Sequence, residues 1–101
     1  MNDFSRLIDD IEQEAIAEGP EAVAELRALD TRFRLASELL AARTSAHMTQ
    51  KELAIRSGVQ QAEISKIERG EVVPKVSTMD RLLIPLGHRL GVVEDHEPAA
   101  A

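Results

Sequence analysis

Within the positions from Gln60 to Lys66 stand Gln60, Gln61, Ala62, Glu63 and Lys66, side chains suited to reading the edges of nucleic-acid bases. The Gln61 amide both donates and accepts, matching the donor and acceptor that adenine presents in the major groove. Ala62 is small enough to lie against a thymine methyl. Lys66, about one helical turn further on, reaches guanine or a phosphate. Glu63 is repelled by phosphates unless it accepts a hydrogen bond from cytosine N4. Polar residues of this kind also cover ordinary solvated helices, so their meaning depends on what holds them.

Two short helices and a tight turn are written around them. Thr49 and Glu52 have the spacing of a capping box at a helix start. Leu53 and Ala54 supply an apolar side, and Ser57-Gly58 closes the helix, glycine tolerating the left-handed turn. Val59 buries the elbow. A second helix is expected from about Gln61 to Arg69, with Ile64 and Ile67 inward and Gly70 as its stop. This order of cap, apolar turn, glycine elbow and glycine stop spells a helix-turn-helix, whose second helix enters the DNA major groove.

Thr49-Gln50-Lys51-Glu52-Leu53-Ala54, then Ser57-Gly58-Val59, then Ile64-Ser65-Lys66-Ile67-Glu68-Arg69-Gly70 closely resembles the signature of the Cro/lambda-repressor (XRE) helix-turn-helix family. The resemblance spans about Leu35 to Leu86. It implies that Gln50 holds a phosphate, that Gln61, Ala62 and Lys66 face bases, and that Arg69 and Lys75 lie near the DNA backbone. Gln60 departs from the family's usual serine or threonine N-cap. Glutamine caps poorly, which leaves Gln60 free to point at the DNA.

The overall charge argues the other way. The chain has a formal net charge of −6, whereas a nucleic-acid binder usually carries a basic surplus. Residues 1–30 hold nine acids against Arg6 and Arg27, a net of −7. Residues 31–91 hold ten bases against six acids, a net of +4, and Glu94, Asp95 and Glu97 make the last ten residues −3. A basic middle between acidic ends suggests two partners.

The acidic N-terminal stretch has the pattern of a helix. Phe4, Leu7, Ile8, Ile11 and Ala15 share one side, and Asp9, Asp10, Glu12, Gln13 and Glu14 the other. Gly19-Pro20 ends this helix and opens the next. A longer helical pattern runs from Glu21 to about Thr44 through Val23, Leu26, Leu29, Phe33, Ala36 and Leu40. It continues into the DNA-binding domain, with Leu35, Leu39, Leu40 and Ala42 inward. The apolar stripe of the extension packs on the domain or a sister chain, or else docks a basic protein. A ribonuclease has such a surface, since it must hold phosphates.

Towards the C-terminus, Ser77 with Asp80 reads as the N-cap of a helix through Met79, Leu82, Leu83 and Ile84, stopped by Pro85 and Leu86-Gly87. His88 to Val93 has weak strand character. A lone strand needs a partner, and pairing with a second copy through Leu90, Val92 and Val93 is one solution; a flexible tail is the other. The run Arg81-Leu82-Leu83-Ile84-Pro85-Leu86-Gly87 with its apolar sequel resembles the end of HigA- and HipB-like antitoxins, and the acidic helical segment is similar to HigA-type antitoxins of type II toxin-antitoxin systems. That resemblance implies a protein that silences a RelE/HigB-like messenger-RNA endonuclease and represses the operon encoding both. Phe4, Leu7, Ile8 and Ile11, with Asp9 and Glu12, are then the toxin-binding residues.

Enzymatic readings find little support. Without cysteine there is no thiol nucleophile or cysteine-based zinc site. His47, His88 and His96 lack metal-ligand spacing, and no glycine-rich phosphate loop occurs, so no catalytic residue, metal or cofactor is expected. No stretch has the roughly 20 apolar residues that span a membrane, and the acidic start lacks the features of a secretory signal, so a cytoplasmic location is expected.

The expectation is an all-α protein of five to seven helices, with room for one short C-terminal β-strand. Residues 1–30 form an acidic helical extension, 31–87 a lambda-repressor-like domain, and 88–101 a strand and frayed tail. It binds double-stranded operator DNA as a homodimer and neutralises a basic toxin. A stand-alone regulator of the same family with no toxin is the alternative, as is a protein-binding inhibitor whose helix-turn-helix has lost DNA affinity.

Overall fold

The computed structural model describes residues 3–95. Its elements are α1 (Asp3–Glu18), α2 (Pro20–Ser45), α3 (Gln50–Ser57), α4 (Gln61–Glu68) and α5 (Val76–Leu83), followed by a 3-10 turn, Ile84–Leu86. The fold is all-α. No described helix is long and apolar enough to cross a membrane.

Local chemistry accounts for most of the boundaries. Gly19 lies at φ 117°, a conformation that side chains strongly disfavour, and Pro20 opens α2 at a position where its missing N–H removes no helical hydrogen bond. From there α2 runs unbroken for 26 residues, through positions 30 and 31. Its N-terminal half carries α1 and its C-terminal half enters the domain.

The core lies wholly in the C-terminal two-thirds. Leu39 of α2, Leu53 of α3, Ile64 and Ile67 of α4 and Leu82 of α5 are essentially solvent-free, and Val59, Met79, Leu83 and Leu86 complete the cluster. Burial of each such aliphatic side chain is worth roughly 1.5–3 kcal/mol. Leu35, Ala42, Ala46, Met48, Val72 and Leu90 pack against it half-buried.

The hairpin of α1 and the first half of α2 is different. Ala15 is the one buried side chain on α1. Phe4 is 69% exposed and Ile16 61%, while Leu7, Ile8 and Ile11 also remain open. With the hairpin standing off the core, the radius of gyration is 16.0 Å, against about 13 Å for a compact chain of this length.

Four expectations require correction. Leu40 is 42% exposed: α2 turns Leu35, Leu39, Ala42 and Ala46 to the core, and Leu40 lies about 100° further round than Leu39. Ser77 does not cap α5. The helix starts at Val76 behind an extended Lys75 with no side-chain cap, and the Met79 N–H closes the first turn on the Lys75 carbonyl at 3.0 Å. The helix therefore begins two residues before the position that a Ser77 cap would give it. Ile84 is not part of α5 but opens the 3-10 turn, 73% exposed. Last, residues 88–95 pair as no strand in the described chain; extended backbone forms one only when a partner supplies the other half of the ladder. His96 lies outside the described residues.

Candidate nucleic-acid interface

The residues expected to read bases are carried by α4 or lie just before it, and α3 packs against α4. Thr49 Oγ1 accepts the Glu52 N–H at 3.0 Å and so caps α3, which is one of the two bonds of a capping box. Gly58 ends α3 in the left-handed region (φ 74°), its N–H bonded to the Ala54 carbonyl. Val59 is then buried in the elbow, its N–H donating to Ser57 Oγ at 3.1 Å.

Gln60 precedes α4 with extended backbone and makes no side-chain cap. Its carbonyl accepts from Glu63 and Ile64, while its side chain is exposed. Ile64 and Ile67 point into the core. Gln61, Ala62, Glu63, Lys66 and Arg69 are all exposed. Ala62, Lys66 and Arg69 recur at i, i+4 and i+7 and so form one stripe opposite the isoleucines, with Gln61 and Glu63 flanking it. Sequence spacing and structure agree on which side of α4 faces outward.

The far end of α4 closes in a Schellman arrangement. The Gly70 N–H bonds the Ile67 carbonyl and the Glu71 N–H bonds the Lys66 carbonyl, both at 3.0 Å. Gly70 is held to glycine twice over. Its φ is 72°, and a Cβ there would lie 2.9 Å from a carbon of the Phe33 ring.

Sequence reasoning missed the clamp behind the motif. Arg43 of α2 donates to Glu68 of α4 through Nε (2.7 Å) and Nη2 (2.8 Å), and through Nη1 to the Met48 carbonyl (2.8 Å). Gln50, at the start of α3, donates to the same Glu68 carboxylate at 3.0 Å. The Arg43 and Glu68 side chains are 12% and 5% exposed, so three helices meet on one buried, bidentate ion pair. Burial acts to raise the Glu68 pKa, but the hydrogen bonds from Arg43 and Gln50 with the Arg43 charge outweigh it and hold it below the ordinary carboxylate range. The same hydrogen bond to Glu68 raises Arg43 despite its desolvation. A signal did exist: Glu68 follows Ile64 by four and Arg43 follows Leu39 by four, so each charge sits on its helix's inward stripe.

The clamp qualifies the role expected of Gln50. One amide N–H is committed to Glu68, and the other group available for a phosphate is its second N–H. Arg69, expected near the DNA backbone, folds onto Glu71 through Nε and Nη2, both at 3.0 Å, and also reaches Ser65 Oγ. That pair is exposed, and exposed pairs are weakly held. Lys75 stands exposed just before α5.

The helix-turn-helix family HTH_3 matches residues 39–90, the span that holds the core, the clamp and α4. The chain belongs to that family. An HTH-type transcriptional regulator of Haemophilus influenzae is 39% identical over 69 residues, which are 68% of this chain and 70% of that one. Antitoxin HigA1 of Mycobacterium tuberculosis is 36% identical over 80 residues, 79% of this chain but 54% of the antitoxin. Among solved structures, an HTH_3 family transcriptional regulator from Vibrio cholerae superposes with a TM-score of 0.58 at 27% identity, over 59% of this chain and 34% of that one. This chain thus spans about half the length of the antitoxin and a third of the solved regulator.

Residues assigned elsewhere from sequence are placed as follows. Phe4, Leu7, Ile8, Asp9 and Ile11 are exposed along α1, and Glu12 is half-buried. Leu90 packs against the core within its own chain, whereas Val92 and Val93 are fully or largely exposed.

Proposed function

We propose that this helix-turn-helix chain is an operator-binding repressor and also an antitoxin, silencing a basic, RelE/HigB-like messenger-RNA endonuclease. The outward stripe of α4 supports the first role: Gln61, Ala62 and Lys66 select bases, while Gln50, Arg69 and Lys75 hold phosphates. Gln60, with no capping duty, adds a polar contact, and Glu63 accepts from cytosine N4. Phosphate contacts supply much of the affinity and make it fall with salt. In this reading Arg69 leaves Glu71 for a phosphate. The protein acts as a two-fold dimer on an inverted repeat, its recognition helices separated by about one DNA turn, roughly 34 Å, or a multiple of it.

The observation that carries the antitoxin role is the hairpin, which combines an open apolar side with a net of −7 over residues 1–30. The likeness to Antitoxin HigA1 over 79% of this chain supports it. A stand-alone regulator is favoured equally by the H. influenzae relative, whose name carries no toxin. Tagged protein drawn from its native cells after nuclease treatment separates the two. One stoichiometric, small, basic ribonuclease whose RNA cleavage stops on binding is the antitoxin outcome. A promoter shift with no such partner is the regulator outcome. For DNA reading, Gln61→Ala is expected to change sequence preference, and Arg69→Ala or Lys75→Ala to weaken all sequences and flatten the salt dependence.

A further inference from the structure

The geometry points to the groove between α1 and α2 as a docking site for a single amphipathic helix with basic flanks, contributed by a protein partner. The inference deepens the antitoxin reading, on which it rests for the partner's identity, but not for the groove's chemistry.

The groove has a volume of about 450 Å³ and a floor of Ile8, Ile11, Ile16, Val23, Leu26 and Phe33. It lies along the direction of two packed helices, the geometry into which a third helix sets its apolar stripe at i, i+3, i+4 and i+7. Ile16 is 61% and Phe33 55% exposed, so the floor leaves large apolar area in water. Phe33 also adjoins the end of α4: a Cβ on Gly70 would lie 2.9 Å from its ring. A large, exposed aromatic side chain beside other apolar groups makes an effective anchor for a partner.

Charge selects the occupant. Glu12 and Asp30 line the groove, with Arg27 its one base. Arg27 is paired with Asp95 at 2.9 Å and Asp30 with Arg34 at 2.9 Å. Glu12 is in no ion pair among the described residues. A second copy would bring the −7 of its residues 1–30 against the same −7, and the C-terminal ten residues carry −3. Nucleic acid would bring phosphates. A lysine- or arginine-flanked helix suits both the apolar floor and the acidic surplus of the segment that forms it.

The full chain can be titrated with synthetic amphipathic helices, each having a leucine stripe and lysine or arginine flanks, and with the same peptides carrying glutamate flanks. The readout is the amide and methyl NMR spectrum. Basic peptides are expected to move signals of Ile8, Ile11, Ile16, Leu26 and Phe33, with binding weakened by salt, and glutamate-flanked ones to move none. Ile16→Ser, at a side chain that is 61% exposed, is expected to weaken the interaction at least tenfold, as is Phe33→Ser, with the thermal transition and promoter binding of Ile16→Ser retained. Three results overturn the proposal: no groove shifts at millimolar basic peptide, equal shifts with acidic peptide, or self-association in sedimentation that Ile16→Ser abolishes. The antitoxin reading fails separately. If the groove takes basic peptides but no ribonuclease is silenced, the groove stands alone. If a ribonuclease is silenced equally well by Ile16→Ser and Phe33→Ser, the antitoxin stands and the groove proposal falls.

Discussion

The helices α1 and α5 carry nearly the same kind of apolar stripe and meet opposite fates. On α5, Met79, Leu82 and Leu83 are buried, with Leu82 solvent-free. On α1, Phe4, Leu7, Ile8 and Ile11 remain exposed and only Ala15 is covered. The difference lies in the neighbours. α5 closes on α3 and on the following 3-10 turn, in a cluster fed also by α2 and α4, whereas α1 packs against α2. Two helices side by side can cover only the residues along their line of contact. Periodicity therefore specifies that a face exists, while the number of surrounding elements decides whether it is filled.

The sharpest way to break that comparison is to empty matched positions. Leu82→Ala in the core is expected to lower stability by about 3–4 kcal/mol, since a cavity forms in rigid surroundings, and urea unfolding would measure it. Against the roughly 5–15 kcal/mol of a typical domain, that loss is large. A loss under 1 kcal/mol would show the core to be as loosely built as the hairpin.

Arg43→Ala comes next, at about 3 kcal/mol, because it strands the Glu68 carboxylate in a buried site. The pH dependence carries a distinct signature. Glu68 has a depressed pKa when folded, so its contribution is present above its unfolded value, near 4.5, and is lost as pH falls through the folded one. In Arg43→Ala only burial and Gln50 act on Glu68, so acid destabilisation should shrink or reverse. Denaturation midpoints between about pH 3 and 7 for both proteins test this.

Thr49→Ala is expected to cost about 1 kcal/mol, the ordinary loss of a helix cap, readable as a shifted urea midpoint. Smallest of all, Phe4→Ser should stay within about 0.5 kcal/mol, as for other exposed sites. If instead it matched Leu82→Ala, α1 would have a covering surface in solution, and sedimentation would reveal whether a second copy supplies it.

Much of the recognition unit was legible because its signals are local. Thr49 with Glu52, the glycines at 58 and 70, and the spacing of Ile64 and Ile67 each act within a turn or two, where backbone sterics and capping settle the outcome. The outward stripe of α4 followed from the same residues. Ser77 misled because α5 begins two residues earlier, at Val76, which places Ser77 inside the first turn instead of at the cap. Leu40 misled because α2 meets the core along the line of Leu35, Leu39, Ala42 and Ala46, and Leu40 falls outside that line.

What the sequence by itself determined are the helices from α1 to α4, the break at Gly19-Pro20 and the polar face that α4 presents, all governed by interactions between residues close in the chain. Only the tertiary structure decided that Arg43 meets Glu68 across 25 positions, that Phe33 rests on Gly70, and that the stripe of α1 stays open. Those outcomes depend on how helices approach one another in three dimensions, and no spacing along one helix encodes the position of the next.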